Sequence, residues 1–405
     1  MPSRWIVGLS SGACAEGVDA VLLELEGVGL DLCLRQLRGL HQAFPSELRD
    51  LVRRVGSPTP IDPRRLAHVH RLLGETYAAA GRAIADQGGS SITRVQVIGC
   101  AGFTIGHDGD TRFPGLLPLG MPAVIAERCG VTVVSDFHAR DLAAGGQGTS
   151  LAALADRLLF ADTTQNRLLL HLGGFARVVY LPAAGRPGET VGFEACPCNH
   201  LLDALIRQLT GSKETHDAGG KRAVQGRCLA DLLNAWLAHP ALHRRPPRSL
   251  PRAAFGDEFA AAAVAQIRQI DGTLHDLLCT ATHFVARGIA QAVRRFLPAG
   301  AKYDRVLLSG GGVRNGFLWQ LLSQQLAGCP MARTDEAGIP AESRKAAAYG
   351  VLAALTLDGV PGSVPGATGA AGSRLLGSLT PGSSANWARC LQWMAQQSPE
   401  MTRVA

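Results

Sequence analysis

Aromatic side chains make up only 5% of this 405-residue sequence, and they never interleave with runs of lysine or arginine. That scarcity argues against the stacking platforms and basic stripes that grip nucleic acid, although the formal net charge is +7. The basic residues are scattered, apart from "LHRRPPRSLPR" at 242–252, and such a mild positive field suits a small anionic ligand. No apolar window approaches the roughly 18 uninterrupted residues of a membrane span. The opening "MPSRWIVGLSSG" offers one basic residue and then an apolar run of strand length, so neither a secretory leader nor an anchor is expected. The expectation is a soluble, cytoplasmic protein with no nucleic-acid and no membrane partner. Charged residues are few, 18% against 46% apolar, which excludes the disordered class. Short-period repeats are also lacking. Cysteine is present but without pattern: ten residues at irregular positions, several inside apolar runs such as "VQVIGCAG", read as reduced, buried hydrophobes. Cys196 and Cys198 beside His200 have the wrong spacing for zinc and no second pair, so no metal site is expected.

What the sequence does contain is glycine turns set between strand-like runs. A chain of this length exceeds one hydrophobic core, so two lobes are expected. Residues 5–10 and 18–25 read as a hairpin reversing at Glu16-Gly17; 47–86 read as helical; "RVQVIGCAG", "MPAVIAERCG" and "VTVVSDF" read as strand, helix and strand. The glycine-rich "RDLAAGGQGTS" is the expected lobe boundary. The pattern then restarts, with "NRLLLHLGGFARVVYLPA" as strand, turn and strand, a helix at "NHLLDALIRQLT", a long helical stretch at 256–297, and "DRVLLSGGGVRNGFLWQLLSQQL" as strand, glycine turn and helix. Two lobes on one plan follow. The Gly/Pro/Ser-rich tail near 358–384 reads as an ordered loop or a flexible segment.

Three stretches bear on chemistry. Gly8-Leu9-Ser10-Ser11-Gly12 matches G-x-S-x-G, but a nucleophile elbow needs a helix immediately afterwards, and here a β-type run follows. The same turn reads alternatively as a phosphate cradle or as a plain hairpin. Gly12 and Gly17 let backbone approach an anion, and small Ser11, Ala13 and Cys14 leave amides unobstructed. The cradle reading strengthens because glycine turns recur after strands at Gly173-Gly174 and at Gly310-Gly311-Gly312, the latter before a helix with Asn315 as N-cap. Third, Glu194 in "VGFEACPCNHLLDALI" reads as lying just after a strand and before a helix, either as a general base facing a cleft or as a solvated loop glutamate.

At these residues the chain resembles the anhydro-N-acetylmuramic acid kinase family of the actin, sugar kinase and Hsp70 superfamily, over almost its whole length. The family's I-G-x-M-S-G-T-S-x-D-G-V-D corresponds to Val7 through Asp19; D-F-R-x-R-D-I-A-A-G-G-Q-G to Asp136 through Gly148; P-P-K-S to Pro246-Pro247-Arg248-Ser249; C-G-G-G-x-x-N to Ser309 through Asn315; and D-E-x-G-I-P to Asp335 through Pro340. "ATGA" and "LLGSLTPG" match too, which favours an ordered tail.

The resemblance implies an α/β, two-lobed actin-like (ribonuclease H-like) ATPase fold, with mixed sheets flanked by helices around a central cleft. Its lobes would be 1–145, completed by about 345–405, and 146–344. It implies an ATP- and Mg2+-dependent kinase that converts 1,6-anhydro-N-acetylmuramic acid and water to N-acetylmuramic acid 6-phosphate in cell-wall recycling. The small-molecule partners are therefore an amino sugar and a nucleotide, and a homodimer is an arrangement open to it. Glu194 would be the base, activating the water that attacks the anomeric carbon. Ser11, Gly12, Ala13, Cys14, Ala15, Glu16, Gly17, Val18, Asp19, Gly173, Gly174, Gly310, Gly311, Gly312 and Asn315 would bind ATP. Arg140, Asp141, Thr104 and Glu336 would bind the sugar. The chain departs from the family pattern in the site itself: Ala13 for Thr, Glu16 for Asp, Cys100-Ala101-Gly102-Phe103-Thr104 for S-H-G-Q-T, His171-Leu172 for N-I, Glu194 for Asp, Cys196-Pro197-Cys198-Asn199 for G-P-G-N, and Lys345 for an acid. Scaffold residues match better than ligand residues, a contrast that also fits a paralogue with an altered substrate or without turnover, or a dimeric interaction protein.

Overall fold

The computed structural model describes residues 3–397 apart from 57–59, 88, 90, 109–113, 185–188 and 252. It opens with a hairpin, β1 (Arg4–Ser10) and β2 (Gly17–Glu26), and a third strand, β3 (Cys33–Ala43). The stretch expected to be one helical run is two helices, α1 (Ser46–Val55) and α2 (Pro63–Gln87), broken where Gly56 ends the first and Pro63 starts the second. Strand β4 (Val95–Cys100) leads to a small hairpin, β5 (Phe103–Asp108) and β6 (Gly115–Leu119). Helix α3 (Pro122–Cys129), strand β7 (Thr132–Ser135) and helices α4 (Ala139–Ala143) and α5 (Ala153–Phe160) follow.

The second half holds β8 (Arg167–Leu172), β9 (Phe175–Leu181) and β10 (Val191–Pro197), then α6 (Asn199–Thr210), α7 (Ala230–Leu237), α8 (Asp257–Gln269) and α9 (Leu274–Phe296). Strand β11 (Arg305–Ser309), α10 (Gly316–Gln325) and β12 (Met331–Arg333) complete it. The chain closes with α11 (Arg344–Leu357), α12 (Pro365–Thr368), β13 (Ser378–Thr380) and α13 (Ser384–Gln397). The Gly/Pro/Ser-rich tail is ordered: Ala367, Thr368 and Leu376 are buried, and β13 pairs antiparallel with β7.

Two compact units result, one running to Phe160 and resuming at Ala337, the other Ala161–Glu336. Their sheets share one plan. The first has the order β13-β7-β4-β1-β2-β3, the second β10-β9-β8-β11-β12. In each, an antiparallel three-strand meander is extended by two parallel strands beside its first member. This is a mixed, helix-flanked α/β arrangement with a repeated sheet plan, as the resemblance leads one to expect. The boundary does not fall in the glycine-rich 140–150 stretch. That segment folds back on the buried Asp141 carboxylate, which accepts from Gly148 N at 3.0 Å. Helix α5 stays with the first unit because Asp156 forms a buried ion pair with Arg344 of α11, with Nε to Oδ1 at 2.7 Å.

Successive strand residues face opposite sides of a sheet. On one face of the first unit, Val7 and Leu9 join Val69, Leu73 and Tyr77 of α2 in a closed apolar core. On the other face lies α11. There Gly8 and its parallel neighbour Gly99 carry no side chain, and a methyl on either would lie 2.0 Å from the Ala346 oxygen or 2.2 Å from the Tyr349 oxygen. The helix backbone therefore rests directly on β1 and β4, an approach only glycine permits.

Candidate active site

In the first unit the hairpin pairs as far as Ser10 with Asp19. The reversal is at Gly12–Ala15, where Ala15 N donates to the Gly12 oxygen at 3.2 Å and Ala15 takes φ +55°. It is not at Glu16-Gly17 as the sequence suggested, because Gly17 already belongs to β2, opposite Ala43, and a methyl on it would strike the Gln42 oxygen at 2.3 Å. Of the nine turn residues, Gly12, Ala13 and Glu16 are exposed and Cys14 is half-buried; Ser11, Ala15, Gly17 and Val18 are buried. Val18 can therefore meet a ligand only through its backbone. Asp19 bonds His41, Oδ1 to Nδ1 at 2.7 Å. Ser11 is held twice: its Oγ accepts from the buried Tyr77 hydroxyl at 2.8 Å, and its carbonyl accepts from Lys345 Nζ at 2.6 Å. Burial pushes the Tyr77 hydroxyl pKa well up, which keeps it a donor. Ser10 Oγ is buried with no hydrogen-bond partner among the described residues, so no histidine activates it and the hydrolase reading fails.

Of the residues expected near a sugar, Thr104 is half-buried on β5 and Arg140 is exposed on α4. Asp141 is fully buried. Its carboxylate anchors the 146–148 loop, and burial raises its pKa against the opposing effect of Thr368 and Gly148 hydrogen bonds. It acts on the loop and does not reach outward. Beside α4 lies a concavity of about 680 Å³ lined by His70, Cys100, Gly102, Leu119, Asp136 and Leu142, among others. Asp136 adopts φ +52°, and burial raises its pKa.

In the second unit two of the expected glycine turns come together. Gly310 has φ +85°, and a methyl there would lie 2.7 Å from the Leu172 oxygen; one on Gly312 would lie 2.6 Å from Leu172 Cβ. Gly311 lies between them in the same turn, and His171 Nδ1 lies 3.0 Å from Ser309 Oγ below it. The Gly173 and Gly174 carbonyls are engaged by the start of α6: Gly173 accepts from Asn199 N at 3.0 Å, Gly174 from Cys198 N at 2.9 Å and His200 N at 3.0 Å. Those helix amides are thus occupied by the turn. Asn315 is the N-cap of α10, accepting from Leu318 N at 3.0 Å. Glu336 is exposed and ion-paired with Arg305.

Glu194 lies within β10, not just after a strand. A β-bulge between Glu194 and Cys196 re-aims the side chain in mid-strand. The carboxylate is only 5% exposed, which excludes the solvated-loop reading. Oε1 accepts from Arg177 Nε at 3.2 Å and Nη2 at 3.1 Å, and Oε2 from Leu250 N at 2.8 Å. The bulge itself is held by Arg248, which donates to the Glu194 oxygen at 2.8 Å, Ala195 at 2.8 Å, Leu242 at 2.6 Å and Arg244 at 3.0 Å. Sequence reasoning missed Arg177 and Tyr77, and it noted Arg248 and Lys345 only as motif positions without the contacts they make. A basic residue three after Gly174 in a strand register opposite Glu194 could have pointed to Arg177; nothing local marks the others.

Cys196 and Cys198 are fully buried. Burial pushes the Cys196 thiol pKa up to about 12 and that of Cys198 well up, so both stay protonated and are poor metal ligands. His200 stacks on Phe175 with centroids 5.5 Å apart. Among the described residues no group of three histidine, cysteine or acidic side chains is placed to hold a metal ion, and no helix is long and apolar enough to cross a membrane.

A family model described as anhydro-N-acetylmuramic acid kinase matches residues 4–382. An anhydro-N-acetylmuramic acid kinase of Gloeobacter violaceus is 36% identical over 377 residues, 93% of this chain and 98% of the relative. One of Salinibacter ruber is 34% identical over 385 residues, covering 93% and 96%. Among solved structures, the activator of the 2-hydroxyisocaproyl-CoA dehydratase from Clostridium difficile aligns over 87% of this chain and 94% of its own, at 12% identity and a TM-score of 0.43. With a family match across nearly its full length and relatives above one-third identity, the chain belongs to the anhydro-N-acetylmuramic acid kinase family.

Proposed function

We propose that the chain is a cytoplasmic kinase that takes 1,6-anhydro-N-acetylmuramic acid, ATP and water to N-acetylmuramic acid 6-phosphate and ADP. The observation that carries this reading is Glu194: a buried carboxylate, at the position of the family's aspartate, fixed by Arg177 and the Leu250 amide. A base must be held in one geometry to take a proton from water at a single attack angle, and these contacts remove the rotamer freedom that would blur it. Glu194 accepts the proton of the water that opens the anhydro bridge at the anomeric carbon, and the released O6 receives the phosphoryl group. The Gly12–Cys14 turn, exposed at Gly12 and Ala13, and the Gly310–Gly312 turn are assigned to the nucleotide, Thr104 and Arg140 to the sugar. Magnesium, when bound, neutralises charge on the transferring group. Among the described residues no ligand cluster is preassembled, so such a metal would be carried in by the phosphates, with the exposed Glu16 of the turn as a carboxylate that could approach it.

The test is incubation with the anhydro sugar and MgATP, with equal amounts of ADP and 6-phosphosugar expected. Replacing Glu194→Gln keeps shape but removes the proton acceptor, and the rate should fall by roughly 10² to 10⁴ with nucleotide affinity unchanged. Undiminished turnover in Glu194→Gln would remove Glu194 from the mechanism. A second reading, ligand binding without turnover, is favoured by one observation: both Glu194 carboxylate oxygens already accept hydrogen bonds within the protein. Calorimetric binding of sugar or nucleotide with no ADP released would select it.

A further inference from the structure

The contact between Lys345 and Ser11 has a geometric consequence. In a planar trans peptide the C=O and the following N–H point to opposite sides. By holding the Ser11 carbonyl at 2.6 Å, Lys345 fixes the Ser11–Gly12 peptide plane and so directs the Gly12 N–H away from α11. Gly12 is exposed, and a methyl on it would meet nothing within 4 Å. Neither the Gly12 nor the Ala13 N–H donates to a protein acceptor among the described residues. The other side of Ser11 is pinned through its hydroxyl by Tyr77, and the Lys345 Cα is itself fixed because α11 rests on Gly8 and Gly99.

The lysine is also in an unfavourable place for an ordinary helix residue. It lies in the first turn of α11, where the helix dipole disfavours cations, next to Arg344 and with no acid in that turn. Arg344 is directed into the core toward Asp156, and Lys345 toward the Ser11 turn.

We propose that Lys345 is a positioning residue for phosphate: through the Ser11 carbonyl it aims the Gly12 amide at the nucleotide phosphates and brings a cation alongside them. The inference rests on the phosphate reading of the Gly12–Cys14 turn. The test is calorimetry on the full chain, with ADP and adenosine as probes. Lys345→Met retains the apolar stem without donor or charge and should weaken ADP by about tenfold, the worth of one charge-assisted hydrogen bond, with adenosine affinity unchanged. Lys345→Arg restores the donor and should recover most of the ADP affinity. Lys345→Gln, with a donor but no charge, should fall between them, and it serves if the methionine variant does not fold. Equal ADP affinity in wild type and in the methionine or glutamine variant overturns the inference alone, as does parallel loss of ADP and adenosine in a variant with unchanged melting temperature. If the wild type binds no ADP, the phosphate reading falls and takes the inference with it.

Discussion

Arg248→Met isolates the support beneath the proposed base. Arg248 is 2% exposed and donates four hydrogen bonds to backbone carbonyls, of Glu194, Ala195, Leu242 and Arg244. A hydrogen bond to a charged group contributes about 1.5–3 kcal/mol, so the four lost bonds total roughly 6 kcal/mol at the lower limit. Against this, methionine removes a cation that is costly to bury: burial pulls the Arg248 pKa down to about 10, and the effective penalty for a buried ion is several kcal/mol, taken as roughly 3. The carbonyl bonds win, and a net loss of about 3 kcal/mol is expected. Hydrogen exchange of the β10 amides reads the second unit by itself, and that loss corresponds to a drop in protection of about a hundredfold. Protection equal to or above wild type would mean that desolvation dominates and that the four carbonyl contacts do not hold the bulge.

The remaining predictions concern local acids and thiols. Asp162 accepts from Thr164 N at 2.8 Å and Gln165 N at 3.0 Å, and these bonds, with Arg167 adding to them, lower its pKa from 3.8 to about 2. Because the folded value is the lower one, its contribution is fully present above 3.8 and is lost as pH falls through about 2. Asp162→Asn should therefore cost about 2 kcal/mol at neutral pH, with the difference from wild type closing toward pH 2; urea melts at both pH values decide it, and a gap independent of pH would contradict the turn as described. A thiol probe on the native chain should label exposed Cys33 promptly, whereas Cys100 and Cys196, each pushed up to about 12 by burial, should wait for unfolding. Early labelling of Cys196, read by mass spectrometry, would mean that α9, whose Val285 carbonyl accepts from the Cys196 thiol at 3.4 Å, does not stay closed over β10.

What could be read from the sequence was what is local. The hairpin of β1 and β2 and that of β8 and β9 stand out because β-branched and leucine runs flank short glycine turns. Strand β3 does not: in "CLRQLRGLHQA" no residue is fully buried, so no apolar alternation announces it. The small hairpin of β5 and β6 is likewise short and glycine-interrupted. The glycine-rich 140–150 stretch looks like a linker in sequence and is instead wrapped on Asp141, whose carboxylate accepts from the Gly148 amide and whose backbone carbonyl accepts from the Gly146 amide, contacts that composition alone does not announce. At the site, Glu194 was identifiable as a residue but not in its setting. Its orientation depends in part on Arg177, the register partner on the neighbouring strand, but the bulge depends on Arg248, the second carboxylate oxygen on Leu250 and the Ser11 turn on Lys345, and these three pairings join segments that are distant in the chain and share no periodicity.

At Gly8 and Gly99 no side chain stands between α11 and strands β1 and β4, and β1 runs directly into the Ser11 turn. Movement of the helix start is thus passed to the turn without being absorbed by intervening packing. If the turn binds phosphate as proposed, a change of residue at position 345, whose Nζ holds the Ser11 carbonyl, would alter how the turn presents its amides while the sheet beneath it stays untouched.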